Sequence, residues 1–335
     1  MLSSSSIDPV SLNDKTLRLD HHYVPQCYLR KFLPTGLPEL YYLSTDVQSY
    51  KRRVRRASPK SVCFEPGLYK IETDEVRKQT PDGDSLFIER RAFPYEKKEF
   101  MDLIDVLKEG RPSIISVRAK RLVSILMDIK RRNIYVRDAL TDAASIEGFK
   151  QQYLKEVNDW VIAEGQTPEV ERSAKVHREN LHRKFSDERF RRDLFRSALI
   201  SNIDRPPQSV LQVLKQVEDY RFEVARTDMS YPLITSDNPG FCLMSDNSVY
   251  PLKFSNDMTV FCFPLTPTML LSLVRPAESR SVFKSITMRK LPPEMVTRFN
   301  IATLTTSNHY VYSNSKSTLE ELIPYADEIA RNRKA

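Results

Sequence analysis

The chain has 335 residues, is 40% hydrophobic and 29% charged, and carries a formal charge of +8 with a pI of about 9.2. That is a globular composition, long enough for one large domain or two modest ones. It excludes a membrane span, because no apolar run approaches the roughly 18 residues one requires. The positive balance favours polyanionic partners such as RNA or DNA, and serves solubility equally well. Cys27, Cys63, Cys242 and Cys262 are far apart and form no CxxC pair, so neither a zinc site nor a disulfide framework is expected. A reducing, cytoplasmic setting follows, with the cysteines as small core residues. No cofactor, no metal and no membrane partner is expected.

In chain order, residues 1–17 are serine-rich and lack a basic flank leading into an apolar stretch. They read as a disordered tail rather than a secretory leader. "DHHYVPQCYLRKF" follows at 20–32. In an extended segment His21 and His22 point to opposite faces, so one faces a cleft while the other packs. Pro25 bends the segment, and "QCYLRKF" suits a turn of helix, with Gln26 and Arg30 on one face. A histidine there can give or take a proton near pH 7; the same rings can equally bond to backbone.

"LYYL" at 40–43 reads as a strand. A basic loop at 51–60 holds Lys51, Arg52, Arg53, Arg55, Arg56 and Lys60, a candidate phosphate-tracking patch or a surface hairpin. "VCFEPGLYKIE" is a second extended region with a turn at Pro66-Gly67.

From about 86 to 218 the pattern is helical. "FIERRAFPYEKKEFMDLIDVLKEG" is interrupted at Pro94 and ends at Gly110. Glu89 and Glu96, two helical turns apart, share a face if the helix runs through Pro94. "PSIISVRAKRLVSILMDIKRRNIYVRDAL" reads as one helix with Ile115, Leu122, Ile125, Leu126 and Ile129 on one side. Arg132 and Arg137 close it, able to complement the helix terminus or clamp a phosphate. "IEGFKQQYLKEVNDWVIAEG" is another helix, and 167–203 reads as a third. His177 and His182 are five apart, off the register of four that a metal pair needs on a helix.

After 218 strands return: "YRFEVART", "PLITSDNPG", "SVYPLKF", "MTVFCFPL" and "TMLLSLVR". In the second of these, Ser236, Asp237 and Asn238 sit at a strand end before a Pro-Gly turn. Functional residues favour such places, and so do turn builders that bond their own backbone. "PPEMVTRFNIATLTTS" reads as a helix, "HYVYS" as a strand, and 316–335 as a C-terminal helix with Ser317 as its cap. The pattern predicts an α+β fold. A mixed or antiparallel sheet is built from N-terminal and C-terminal segments, a helical bundle lies between, and 18–315 form one domain.

These segments resemble one family. "HHYVPQCYLRKF", "LYYLSTDVQSYKRRVRRASPKSVCFEPGLY", the pair Glu89 and Glu96, the RxxxxR of Arg132 and Arg137, "PLITSDNPG", "FPLTPTMLLSL" and "FNIATLTTSNHYVYS" stand in the order found in domain-of-unknown-function family 4238. Cys27 replaces a common aromatic, and "KRRNIYVR" lacks a usual Thr-Pro. The resemblance implies a shared site, to which it adds Asn300, and brings no established reaction.

Three readings follow. The first is a phosphodiester-cleaving enzyme acting on RNA or another nucleic acid. His22 or His21 serves as acid–base, Asp237 orients it and Arg132 holds the anion. Gln26, Arg30, Ser236, Asn238, Glu89 and Asn300 bind substrate. The second is a noncatalytic module binding nucleic acid, nucleotide or protein, its polar motifs locking the fold. The third is an HNH-like metal nuclease built on Asp20-His21-His22, for which residues 33–60 supply neither the Asn nor the His of the required downstream helix.

Overall fold

The computed structural model describes residues 20–45, 53–91, 93, 98–109, 112–200, 215, 220–253, 255, 257–275 and 286–332. The expected tail 1–17, Lys51, Arg52, Pro94, Glu96 and most of 201–219 lie outside the described residues.

The strands are β1 (Asp20–His22), β2 (Leu40–Ser44), β3 (Arg55–Ala57), β4 (Phe64–Pro66), β5 (Arg221–Arg226), β6 (Thr235–Ser236), β7 (Phe241–Met244), β8 (Val249–Tyr250), β9 (Met258–Thr266), β10 (Met269–Val274), β11 (Ile286–Lys290) and β12 (Tyr310–Ser313). The fold is α+β. Among the described residues its strands form three sheets rather than one. A six-stranded mixed sheet runs β11-β5-β10-β9-β7-β8, a four-stranded antiparallel sheet runs β3-β2-β12-β6, and β1 pairs with β4. Among the described residues, only the four-stranded sheet joins N-terminal and C-terminal segments as expected. Its neighbours β2 and β12 place Tyr42 beside Tyr312 and Ser44 beside Tyr310.

The helices begin with α1 (Gln26–Leu29), extended by a 3-10 turn over Arg30–Phe32. Then come α2 (Asp74–Arg77), α3 (Phe87–Arg91), α4 (Glu99–Glu109) and α5 (Pro112–Arg131). The apolar stripe Leu122, Ile125, Leu126 and Ile129 of α5 is buried. The single helix expected beyond it instead breaks at Asn133. That side chain accepts the Tyr135 N–H at 2.9 Å and so caps α6 (Ile134–Thr141), a better use of Asn than a helix interior. Asp142 caps α7 (Ala143–Glu164), which ends at Gly165 with φ of 81°, a left-handed stop that suits glycine. Thr167 caps α8 (Pro168–Ser186). The long helix expected over 167–203 divides at Asp187 into α8 and α9 (Glu188–Ile200), because the Asp187 carboxylate accepts the Arg189 N–H at 2.9 Å. The last helices are α10 (Pro293–Thr306), α11 (Lys316–Glu321) and α12 (Ile323–Asn332). The expected terminal helix is thus two, and its cap is Ser315 rather than Ser317.

Alternation in β5 sorts the core. Phe222 and Val224 face the main cluster with α1, α4 and α5, while Ala225 faces a second cluster against Val296 and Phe299 of α10. The six-stranded sheet is therefore a middle layer. Each fully buried apolar side chain contributes about 1.5–3 kcal/mol relative to exposure. Among the described residues no helix is long and apolar enough to cross a membrane.

Candidate functional site

The central element is the C-terminal end of α5. Lys130, Arg132 and Asn133 are all buried there, and each reaches one of the polar motifs. Lys130 Nζ donates to Asn238 Oδ1 at 2.6 Å and to the Gly240 carbonyl at 3.0 Å. Burial pushes this ammonium down to about 7. Asn133 Nδ2 donates to the Asp237 carbonyl at 2.6 Å. Arg132 Nε donates to Tyr69 Oη at 3.1 Å, and its Nη2 donates to the His22 carbonyl. The guanidinium lies over the Phe93 ring, 3.8 Å from its centroid, a desolvated cation–π contact.

Asp237 is fully buried and does not orient a histidine. Its carboxylate accepts backbone N–H groups from Asn308 (2.8 Å), His309 (2.7 Å) and Tyr310 (3.1 Å). Burial lifts its pKa to about 6, and those three donors pull the other way. Ser236 Oγ accepts the Asn238 N–H, and Asn238 Nδ2 donates to the Thr306 carbonyl. Asn300 accepts the Ile234 N–H and donates to the Pro232 carbonyl, both at 3.0 Å. Gly240, at φ of 81°, closes the turn. A Cβ there would stand 2.5 Å from Phe263 Cδ2. The turn thus spends its polar atoms on α5, on the end of α10 and on the loop before β12. Ser236, Asp237, Asn238 and Asn300 line no open surface.

The two histidines do point to opposite faces. His21 is buried, stacks on Tyr69 (centroids 5.3 Å apart) and accepts the Tyr69 N–H on Nδ1 at 2.8 Å. Burial, then the charges of Arg196 and Arg132, lower its pKa to about 4. It is neutral near pH 7, its proton is on Nε2, and that atom has no hydrogen-bond partner among the described residues. His22 is half-buried at the surface. Gln26 Nε2 donates to its Nδ1 at 3.4 Å, and Arg30, which is exposed, donates to Gln26 Oε1 at 3.3 Å. Arg132 thus touches His22 at the backbone, and Asp237 is not part of that contact. Glu89 is exposed on α3.

The four-stranded sheet offers a different surface. Arg137 pairs with Glu65 and Asp138. Tyr310 is 39% exposed and meets Tyr42 edge-on, centroids 5.8 Å apart. Tyr42 is paired in register with exposed Arg55. Arg53 and His309 are exposed, and Tyr135, 38% exposed, stands beyond the Asn133–Asn308 contact. Of the basic loop, Arg56 is partly occupied by Glu39, while Arg53, Arg55 and Lys60 are open.

Sequence reasoning missed Lys130 and Asn133. The signal was there: Lys130 follows Leu126 by four and Asn133 follows Ile129 by four, on the buried stripe. It also missed the Asp193 carboxylate. That group accepts the Glu72 and Thr73 N–H groups and pairs with Arg196 at 2.7 Å. Among the described residues no three His, Cys, Asp or Glu side chains gather as a metal site.

No curated protein and no solved structure matches the chain. A family model does, over residues 20–317, which include the histidine pair, the α5 terminus and the Asp237 turn. The chain belongs to the family described as a protein of unknown function, DUF4238.

Proposed function

We propose that the protein binds single-stranded nucleic acid, RNA or DNA, across the inner strands β2 and β12 of the four-stranded sheet. The observation that carries this reading is the contact of half-buried Tyr42 with exposed Tyr310, with exposed Arg55 in register with Tyr42 and exposed Arg53 two residues before Arg55. Sequence-tolerant binding of single strands needs aromatic faces for bases and cations along the backbone, and a net charge of +8 adds long-range attraction. The buried motifs at 21 and 235–240 support a fold-locking role, since their polar atoms bond within the chain. The test is a titration with labelled single-stranded RNA, single-stranded DNA and duplex. Single strands should bind more tightly than duplex, and affinity should fall with salt. Equal or absent binding contradicts the reading.

One observation favours a second reading, phosphodiester cleavage. His22 is half-buried, with Gln26 donating to its Nδ1. The imidazole would then serve as the acid–base group, which requires its Nε2, buried in this structure, to become reachable. Incubating wild type and His22→Ala with a mixed RNA and DNA pool, with and without EDTA, tests this. Cleavage lost in the variant supports it, and no cleavage by either protein removes it.

A further inference from the structure

Glu223 stands on the inner strand β5, in register with Ser272 of β10 and Thr287 of β11. It is 3% exposed, and burying a carboxylate is costly unless cations pair with it. Arg221 Nε lies 2.7 Å from its Oε1, and Arg289 Nε lies 3.2 Å from its Oε2. One guanidinium would neutralise this carboxylate. The second leaves the cluster with an excess positive charge. Donors are also unspent: Oε2 is buried and accepts no hydrogen bond, so the Arg289 N–H groups are directed away from that oxygen. Alternation along the paired strands sets Arg221, Glu223, Thr287 and Arg289 on one face of the sheet, opposite to the core-facing Phe222 and Val224. On that face Arg221 and Arg289 keep 51% and 44% of their side chains exposed, and Thr287 is exposed as well. Among the described residues Glu223 is the only carboxylate paired with either arginine.

The geometry points to a binding site for a phosphate group on the surface of β5 and β11, held between the Nη ends of Arg221 and Arg289 with the Thr287 hydroxyl beside them. Each guanidinium comes closest to Glu223 through Nε, the nitrogen nearest its stem. The planar fork of Nη donors therefore extends past the carboxylate. Glu223 holds two like charges side by side that would otherwise repel, and does so from beneath. It is a positioning residue. Two forks offer more N–H donors than a carboxylate ligand can accept, and they match the several oxygens of a phosphate. The excess charge supplies the attraction. A structural role alone does not call for this arrangement, since exposed ion pairs contribute little to stability and a single arginine would neutralise the buried charge. The inference is independent of nucleic-acid binding, which is placed on the other sheet.

Isothermal titration calorimetry of the full chain at low ionic strength, with inorganic phosphate and with phenyl phosphate, tests it. Both should bind with millimolar or tighter affinity. Tighter binding of phenyl phosphate assigns the site to a phosphate ester, and equal binding assigns it to the free ion. Arg289→Lys and Arg221→Lys keep a cation on Glu223 but lose the fork. Each should weaken phosphate binding at least about tenfold, the loss of one charge-assisted hydrogen bond, with unchanged far-ultraviolet circular dichroism. If one of the two variants loses structure, the other decides. Arg172→Gln removes an exposed charge from α8 and should leave the affinity unchanged. No heat with either anion overturns the proposal. So does a lysine variant that binds phosphate like the wild type, since diffuse surface charge would then account for the binding. Weaker binding of a single-stranded nucleic acid by Arg289→Lys, with no phosphate bound by the wild type, assigns these arginines to the nucleic-acid path and overturns it as well.

Discussion

Lys130 places its ammonium 2.6 Å from Asn238 Oδ1, a buried contact that ties the end of the longest core helix to a turn 108 residues later in the chain. With Asn133 on the Asp237 carbonyl and Asp237 on the 308–310 loop, it makes a lock between α5, the turn after β6 and the entry to β12. Lys130→Met would leave Asn238 Oδ1 and the Gly240 carbonyl without this donor. Leaving these buried acceptors unsatisfied costs about 1–3 kcal/mol each. Asp237→Asn should cost a similar amount, because an amide cannot accept all three N–H groups without turning its own N–H₂ toward donors. Urea unfolding of each variant measures this, and changes under about 0.5 kcal/mol, the size of neutral surface substitutions, would contradict the lock.

Gly240 tests the same turn sterically. Gly240→Ala adds a methyl 2.5 Å from Phe263 Cδ2 at a backbone φ of 81°. Left-handed backbone and overpacking each cost about 1–3 kcal/mol. The variant should unfold at distinctly lower urea with an unchanged slope, whereas Gly67→Ala, at φ of 71° with nothing near its Cβ, should lose only the smaller backbone part.

His21 gives the protein an acid-sensitive element. Its folded pKa is about 4 against an ordinary 6.5, so between those values the unfolded chain binds more protons. Stability therefore falls as pH drops from 6.5 toward 4, by up to about 3 kcal/mol for this group. Asp237 acts oppositely between 3.8 and about 6, since its folded form holds the proton longer. Comparing wild type with His21→Asn, whose Oδ1 can still accept the Tyr69 N–H, cancels that second contribution. The wild type should lose more stability than the variant over this window; parallel pH curves would contradict the assignment.

Much of this architecture can be read from the residues, because local patterns decide it. The alternation of Phe222 and Val224, the stripe on α5 and the Pro25 bend are all local. Helix breaks at Asn133 and Asp187 were not expected, since capping side chains overrode a continuous periodicity. The pairing of sheets was not legible either: β6 has only two residues, and its partner β12 lies some seventy positions on. At the site, residue types were identified but not their direction. Ser236, Asp237, Asn238 and Asn300 have the chemistry of a binding surface. Nothing local says that α5 buries them. Tyr42 and Tyr310 read as ordinary strand residues, and only the fold brings them edge to edge with Tyr310 exposed.

The most direct test of the proposed nucleic-acid surface is fluorescence anisotropy of a labelled single strand titrated with wild type, Tyr310→Ala and Tyr42→Ala. Base stacking on an aromatic is worth about 1–3 kcal/mol, so each substitution should weaken binding roughly 5- to 150-fold. Arg55→Ala should lower the salt slope by about 0.7, one phosphate contact on a single strand. Unchanged affinity in both tyrosine variants, with the fold intact by circular dichroism, would contradict it.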